Sequence, residues 1–250
     1  MSNLHKQHSP EYYANPASSD IVIFIHGFMG SPRQFDRLAE FVRQHGYATA
    51  TLLLPGHGGS TRDFGSSTFE SWQNHVDTEI EHFSRDYENI WLTGHSMGGL
   101  LAINAAARFD KCVRGIFTVA CPFRITTFSA YTLRIRFRQF FSKKTDPIRV
   151  AYFSNSSVAP SPGLLLHTRK PASEIKTLMH AARNNLSQIH VPVTSVYSAS
   201  DELTSIVSLD ILKAELTGAP IEPIVLKDSL HAYFPEHEQI IIEQALLRLL

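Results

Sequence analysis

The chain has 250 residues, which suits one α/β enzyme unit with an inserted segment. Hydrophobic residues make up 43% and charged residues 18%, so a sizeable core is available and global disorder is excluded. Lys and Arg together number 23, as do Asp and Glu, and this neutral balance lacks the basic excess of a protein that binds nucleic acid.

Short apolar runs alternate with longer helical patterns along the chain. The runs that predict strands are, in order, 21–25, 47–54, 90–94, 113–120, 191–199 and 221–227. Apolar residues at helical spacing predict helices over 33–46, 68–87, 97–109, 205–218 and 236–250. Fully apolar strands separated by helices indicate a mostly parallel sheet with helices on both faces, and therefore the α/β class.

One segment, between 120 and 191, is much longer than a crossover with one helix requires. We therefore predict a core formed by 1–121 and 186–250 and an inserted helical cap over 122–185. The cap is basic and aromatic, and apolar residues at 133, 137, 140 and 141 fit an amphipathic helix. Its six basic residues before position 145, which no acidic residue interrupts, are Arg124, Arg134, Arg136, Arg138, Lys143 and Lys144.

Two interpretations of this basic stretch stay open. The helix can lay its apolar side on the body and expose a solvated charged face. Alternatively, the basic stripe can meet an anionic partner, such as a phospholipid head group or a charged acyl substrate.

A serine between two glycines marks the junction of a predicted strand and a predicted helix. "GHSMG" (94–98) follows the strand and opens the helix that begins at Met97. This G-x-S-x-G pattern is typical of a nucleophile elbow, whose sharp turn projects the serine side chain clear of the sheet. Small residues are needed at 94 and 98 because strand and helix pack closely there. We predict Ser96 as a nucleophile, the alternative being an ordinary glycine-rich turn.

A nucleophilic serine requires a histidine base and a carboxylate that orients the base. In chains with this elbow, the acid and then the histidine follow in loops after later strands. Asp201 lies just beyond the strand 191–199, and His231 lies just beyond the strand 221–227. We therefore predict Asp201 as the orienting acid and His231 as the general base.

Other polar residues near these loops are weaker candidates. We expect Glu202 to be a solvated neighbour of the acid, and Asp228 to be a turn residue or a supporting carboxylate. His237 is expected to face water, and His57 and His95 are expected to be structural.

Backbone amides supply the oxyanion donors in sites of this kind. One is expected from Met97, which follows the nucleophile, and the other from Phe28 in the loop "HGFMGS" after the first apolar strand. The alternative for that loop is a simple turn. The sequence contains no cluster with metal-ligand spacing and no phosphate-binding glycine loop, so we expect no metal and no cofactor.

These segments resemble the α/β-hydrolase superfamily. "HGFMGSPRQF", "LPGHGGS", "GHSMGG", "SASDELTS" and "SLHAYFPEH" are similar to segments of its small bacterial carboxylesterases and monoacylglycerol lipases, over roughly 20–120 and 190–250. The resemblance implies the α/β-hydrolase fold with a small helical cap. It also implies ester hydrolysis, with Ser96 as nucleophile, His231 as base, Asp201 as its orienter, and the amides of Phe28 and Met97 as oxyanion donors.

We expect a serine hydrolase that cleaves carboxylic esters of short to medium acyl chains through an acyl-enzyme, because a small cap leaves a modest pocket. Monoacylglycerol or lysophospholipid hydrolysis is the alternative, followed by thioester hydrolysis and by non-catalytic binding of a small molecule. The expected partner is a small-molecule ester, with no nucleic acid and with a transient lipid or membrane-surface contact through the basic cap as an option. Cys112 and Cys121 are expected to be reduced, and no apolar leader or span is visible, so we expect a cytoplasmic protein.

Overall fold

The computed structural model describes residues 8–126, 129–158 and 164–250. Its strands are β1 (Glu11–Tyr13), β2 (Asp20–Ile25), β3 (Ala48–Leu52), β4 (Asn89–His95), β5 (Val113–Val119), β6 (Val193–Ser198) and β7 (Ile221–Leu226). In the described residues they form one seven-stranded sheet in the order β1-β3-β2-β4-β5-β6-β7. Only β1 pairs antiparallel to its neighbour. The predicted, mostly parallel sheet is confirmed.

Helices cover both faces of this sheet. They are α1 (Asp36–Gln44), α2 (Thr61–Ser66), α3 (Phe69–Phe83), α4 (Met97–Ala106), α5 (Ala130–Phe141), α6 (Pro147–Ser154), α7 (Leu164–His167), α8 (Arg169–Asn185), α9 (Val207–Glu215) and α10 (Glu236–Leu249). Helices α3, α4, α8 and α9 contribute to one apolar cluster, and α1 and α10 contribute to the other. None of the helices in the described part of the chain is long and apolar enough to cross a membrane.

The central strand β2 shows why its sequence is apolar without alternation. Ile21, Ile23 and Ile25 lie in the first cluster, whereas Val22 and Phe24 lie in the second. All five are fully buried, because side chains alternate across the sheet and a helix layer covers each face.

Two short elements lie outside the predicted set. The edge strand β1 has three residues, all exposed, so it carries no apolar pattern. Helix α2 is marked by a capping box in which Ser60 and Asp63 bond each other's backbone amides. The spacing of these two residues is a sequence signal from which α2 could have been recognised.

The predicted cap over 122–185 contains α5, α6, α7 and α8, and these helices pack differently. Leu178 and Ala182 of α8 are fully buried in the main core with α4. Helix α8 therefore acts as the crossover helix before β6, covering the sheet as α3 and α4 do. We propose a shorter insertion than the predicted one, formed by α5 to α7, and refer to these three helices as the outer cap.

The outer cap reverses the expected orientation of its amphipathic helix. On α5, Leu133, Phe137 and Phe141 are 54%, 64% and 71% exposed, while Ile135 and the polar Gln139 are buried. Ile135 packs with Ile148 of α6 and Leu230 in a small satellite cluster. The expectation that the apolar stripe lies on the body is therefore wrong: α5 docks through a mixed face and presents aromatic rings outward.

Candidate active site

The C-terminal ends of β4, β6 and β7 bring the three predicted site residues together. Nε2 of His231 lies 3.0 Å from Oγ of Ser96, and its Nδ1 lies 2.9 Å from Oδ2 of Asp201. Parallel neighbouring strands end at the same edge of a sheet, so the loops that follow them meet there. The side chains of His231 and Asp201 are only 12% and 3% exposed, which protects this hydrogen-bonded chain from water.

Ser96 occupies the turn between β4 and α4 in a strained backbone conformation. Its φ of 53° and ψ of −118° lie in a region that residues with a side chain rarely adopt. Its amide donates to the carbonyl of Val119 over 2.8 Å, which ties the turn to the neighbouring strand. A Cβ atom on Gly94 would overlap the backbone of Gly98, and a Cβ atom on Gly98 would overlap the carbonyl of Ile25. Both glycines are therefore needed for the close approach.

Asp201 is held as a carboxylate by its own loop. Oδ1 accepts the amide protons of Leu203 and Thr204 at 2.7 and 2.8 Å. Burial alone raises the pKa of Asp201, but the charge and hydrogen bond of His231, with these two amides, bring the pKa below its ordinary value. The carboxylate therefore stays ionised and keeps the proton of the imidazole on Nδ1.

His231 is poised as a base whose pKa lies above the ordinary histidine value. Burial alone lowers the pKa of His231, but the charge and hydrogen bond of Asp201, with the charge of Glu202, outweigh it. Arg136 acts in the opposite direction and lowers this pKa. With Nδ1 donating to Asp201, Nε2 is free to accept a proton from Ser96.

Glu202 is not the solvated neighbour that the sequence suggested. It is 2% exposed, and its Oε2 accepts the backbone amide of His231 over 3.0 Å. Its Oε1 accepts from the side-chain amide of Gln139 on α5 over 2.7 Å. The loop after β6 turns inward to present Asp201, and this turn carries the next residue into the interior as well.

A second buried carboxylate orders the loop that carries His231. Glu238, on the first turn of α10, accepts the amides of Lys227, Asp228 and Ser229 at 2.6, 3.0 and 2.7 Å. The side chains of Asp228 and His237 form a separate exposed pair, as expected for a turn residue and a surface histidine. Glu238, Asp228 and His237 form the one group in the described residues with metal-ligand proximity, but Glu238 is already occupied by the amides.

The buried histidines near the site form hydrogen bonds with backbone groups. Nε2 of His95 donates to the carbonyl of His231 over 2.8 Å, and burial lowers the pKa of His95 to about 3. His26 accepts the amide of Leu54 on Nε2 and donates from Nδ1 to the carbonyl of Gly27. Burial also lowers the pKa of His57 to about 4, so all three rings are neutral at pH 7. The contacts of His57 and His95 with backbone carbonyls fit the structural roles expected for them.

The two predicted oxyanion residues border the same pocket as Ser96. Phe28 follows β2, and Met97 is the first residue of α4. Neither backbone amide donates to another residue in the described part of the chain. Because Met97 opens α4, its amide also stands at the positive end of the helix dipole, which favours negative charge beside Ser96.

The pocket in front of Ser96 has a volume of about 400 Å³. Phe28, Met97, Leu203 and Ile175 give it apolar walls, and the outer cap closes it from above with Arg136 and Tyr152. A second cavity of about 330 Å³ adjoins it between the outer cap and α10. His95 and Ala232 line both cavities, so there is room for an elongated molecule to extend from one cavity to the other.

The structure brings together the three residues that the sequence predicted, Ser96, Asp201 and His231, and shows supporting residues that the sequence did not predict. Glu202 and Glu238 are acidic residues beside loops, a pattern shared with most surface carboxylates. One signal was present for Glu238, since an acid in the first turn of a helix often binds neighbouring amides. For Glu202 the sequence carries no signal, because its burial depends on contact with α5.

Comparison with known proteins agrees with this architecture. The family model described as serine aminopeptidase, S33, matches residues 16–238. A thermostable monoacylglycerol lipase from Bacillus sp. (strain H-257) is 26% identical, covering 90% of this chain and 88% of its own. A carboxylesterase from Bacillus subtilis (strain 168) is 20% identical, with 94% of each protein covered.

Solved structures show the same fold. A structure from work on the metagenome-derived lipolytic enzymes LipS and LipT superposes with a TM-score of 0.75 at 22% identity, covering 97% of both chains. A monoacylglycerol lipase from Paleococcus ferrophilus gives a TM-score of 0.69 at 18% identity, covering 96% of this chain and 97% of its own. With the family match spanning most of the sequence, the chain belongs to the serine aminopeptidase, S33, family of α/β hydrolases.

Proposed function

We propose that this protein hydrolyses carboxylic esters through an acyl-enzyme on Ser96. The observation that carries the proposal is the chain of hydrogen bonds from Ser96 through His231 to Asp201, at the floor of a largely apolar pocket. A serine on a strained turn, a base with a raised pKa and an ionised buried acid together form an activated nucleophile.

In the first step, Oγ of Ser96 attacks the ester carbonyl while its proton passes to Nε2 of His231. The carbonyl oxygen becomes an oxyanion, and the amides of Phe28 and Met97 donate to it. One such donor is worth about 2.7–4 kcal/mol in the transition state. Asp201 stabilises the imidazolium that forms and stays ionised itself.

In the second step, the bond between the carbonyl carbon and the alcohol oxygen breaks, and His231 gives its proton to the departing alcohol. A water molecule then transfers a proton to His231 and attacks the acyl-enzyme, again through an oxyanion held by the two amides. Collapse of that intermediate releases the carboxylic acid and returns the proton to Ser96.

Substrate size is proposed from the two adjoining cavities. About 400 Å³ in front of Ser96 suits a short to medium acyl chain, with further apolar space of about 330 Å³ beside it. Monoacylglycerol is the second candidate, supported by the likeness to the Bacillus monoacylglycerol lipase over most of both chains. Lysophospholipid hydrolysis stands beside it as an alternative and thioester hydrolysis follows, and the cytoplasmic location stays a prediction.

We also propose a transient contact between the outer cap and an anionic lipid surface. Exposed Phe137 and Phe141 stack with ring centroids 5.0 Å apart on α5. Exposed Lys143 and Lys144 follow directly after the helix. Aromatic rings beside cations match the apolar and anionic layers of a membrane surface.

Replacing Ser96 by Ala tests the proposed reaction. We expect S96A to fold normally and to lose hydrolysis of 4-nitrophenyl acyl esters, together with labelling by a fluorophosphonate probe, because it removes the hydroxyl that His231 contacts. S66A, at an exposed serine of α2, is the matched control and should keep both. Retention of more than a few per cent of wild-type turnover in S96A would refute the mechanism. Absence of probe labelling in the wild type would favour a non-catalytic binding protein.

A further inference from the structure

Arg136 differs from the other basic residues of the outer cap. It lies on α5 and borders the pocket that contains Ser96 and His231. Its side chain is partly buried, and it forms no hydrogen bond or ion pair with any described residue. A guanidinium group carries five donors and is costly to withdraw from water without an acceptor, and in the described part of the chain these donors are left for water or a ligand.

Two other arginines of the outer cap, Arg138 and Arg149, are already engaged. Nε of Arg138 donates to the carboxylate of Asp146 over 2.8 Å, and Arg149 donates to the carbonyls of Phe140 and Ser142. These contacts close the end of α5 onto α6. The basic residues of the outer cap therefore have different surroundings, because Arg138 is paired with Asp146 and Arg136 borders the pocket.

The pocket has a cationic excess. Lys176 of α8 borders it together with Arg136, and none of the described residues that line it is acidic. The carboxylates beside His231 are engaged elsewhere: Asp201 accepts from His231 and two amides, and Glu202 accepts from Gln139 and the amide of His231. Neither forms a salt bridge with Arg136, so the positive charge acts on whatever enters the pocket.

The proximity of Arg136 to the reacting groups is visible in their electrostatics. The pKa of His231 and that of Tyr152, which borders the same pocket, are both raised overall, and the charge of Arg136 opposes each rise. An anion bound at Arg136 would offset this charge and leave His231 a stronger base. Binding of an anion at Arg136 would then raise the pKa of His231.

We propose that the ester hydrolysed here carries an anionic group, a carboxylate or a phosphate, and that Arg136 binds that group while Ser96 attacks the ester carbonyl. This proposal rests on the proposed ester hydrolysis and narrows its substrate class. Arg136 supplies bidentate hydrogen bonds from one wall, and Lys176 adds positive charge from another. Neutral esters fill the apolar walls but leave the guanidinium without a partner.

Two matched substrate pairs test this proposal. On the acyl side, mono-4-nitrophenyl adipate is compared with 4-nitrophenyl hexanoate, which has the same chain length without the terminal carboxylate. On the alcohol side, 1-hexanoylglycerol 3-phosphate is compared with 1-hexanoylglycerol. The ratio of kcat/KM for the anionic and neutral members is measured for the wild type, R136Q, R136K and R134Q.

We expect R136Q to lower this ratio at least about tenfold in one pair, mainly through KM, because a charge-assisted hydrogen bond is lost. The affected pair identifies which side of the ester carries the anion. R136K should recover part of the ratio, because it keeps the charge and loses the planar fork. R134Q, at an exposed arginine of the same helix, should keep the ratio within about twofold, since it removes equal charge outside the pocket.

Three results would overturn the proposal. The ratio is the same in R136Q as in the wild type for both pairs, or R134Q lowers it as much as R136Q does, or the wild type hydrolyses only the neutral members. Those results leave ester hydrolysis intact. If the wild type hydrolyses none of the four esters and Ser96 takes no fluorophosphonate, the proposed function itself fails, and the substrate class falls with it.

Discussion

Glu202 acts on His231 both through the backbone and through charge. It accepts the backbone amide of His231, which fixes the loop, and its charge raises the pKa of the imidazole. Arg136 opposes that charge from the pocket side. Glu202 is therefore a positioning residue, since it touches the base and does not border the pocket in front of Ser96.

Replacing Glu202 by Gln should shift the pH profile of ester hydrolysis. Only neutral His231 accepts a proton, so kcat/KM rises with pH through the pKa of His231, above the ordinary histidine value. E202Q removes a negative charge, lowers that pKa and moves the acid limb of the profile to lower pH. Gln139 can reverse its amide to pair with the new side chain, because its Oε1 has no partner in the wild type.

The control for this measurement is E81Q, at an exposed acid of α3 far from the site. It should leave the acid limb of kcat/KM where it is in the wild type. An acid limb in E202Q that coincides with the wild type, or that moves to higher pH, would contradict the assigned electrostatic role.

At the scale of secondary-structure elements, α8 and α5 divide the segment between β5 and β6. Helix α8 packs against α3 and α4 and places Leu178 in the main core. Helix α5 packs chiefly against α6 and reaches the body through Ile135, Gln139 and Tyr131, whose hydroxyl donates to the carbonyl of Ser200 over 2.7 Å. Helix α8 therefore belongs to the main core, and helix α5 is attached at its surface.

The same substitution at two leucines tests this division. Leu178→Ala removes a fully buried side chain from the core and should lower the free energy of unfolding by about 2–5 kcal/mol. Leu133→Ala removes a side chain that is 54% exposed on α5, and it should change the free energy of unfolding by less than about 0.5 kcal/mol. Urea unfolding followed by circular dichroism measures both. Equal losses in the two variants would refute the proposed boundary of the outer cap.

For the whole molecule, function is concentrated at one edge of the sheet. The loops after β2, β4, β6 and β7 supply the pocket and its reacting groups, and the outer cap lies above them. That cap has an inner side with Arg136 in the pocket and an outer side with exposed aromatic rings. Substrate binding and the proposed surface contact therefore use opposite sides of the same small unit.

The lipid contact is tested by replacing Phe137 and Phe141 with Ser. We expect the double variant to lose sedimentation with vesicles that contain anionic phospholipid, while the wild type binds them and binding weakens with added salt. Hydrolysis of dissolved short esters provides the check that the variant is folded. I241S, at an exposed isoleucine on α10, should keep vesicle binding. Equal binding by the double variant and the wild type would refute the contact.

The fold, and the meeting of Ser96, Asp201 and His231, were predictable because they depend on local patterns and on strand order. Apolar runs between helical segments indicate a parallel sheet, and the glycines around Ser96 reflect contacts within one strand-turn-helix unit. Asp201 and His231 could be placed because loops after parallel strands meet at one edge, so their order along the chain was sufficient. The short elements β1 and α2 were not predicted, since neither is long enough to show a period in its apolar residues.

The environment of charged and apolar residues without a local signal could not be predicted, because it depends on contacts between distant segments. Glu202 is buried, Arg136 faces the pocket, α8 joins the core, and the aromatic stripe of α5 points outward. Each outcome depends on which distant surface an element packs against, and helical periodicity is the same whether the apolar face meets a core or solvent. Local sequence patterns are therefore enough to predict the scaffold and the candidate chemistry, whereas packing between distant segments sets the electrostatics of the pocket.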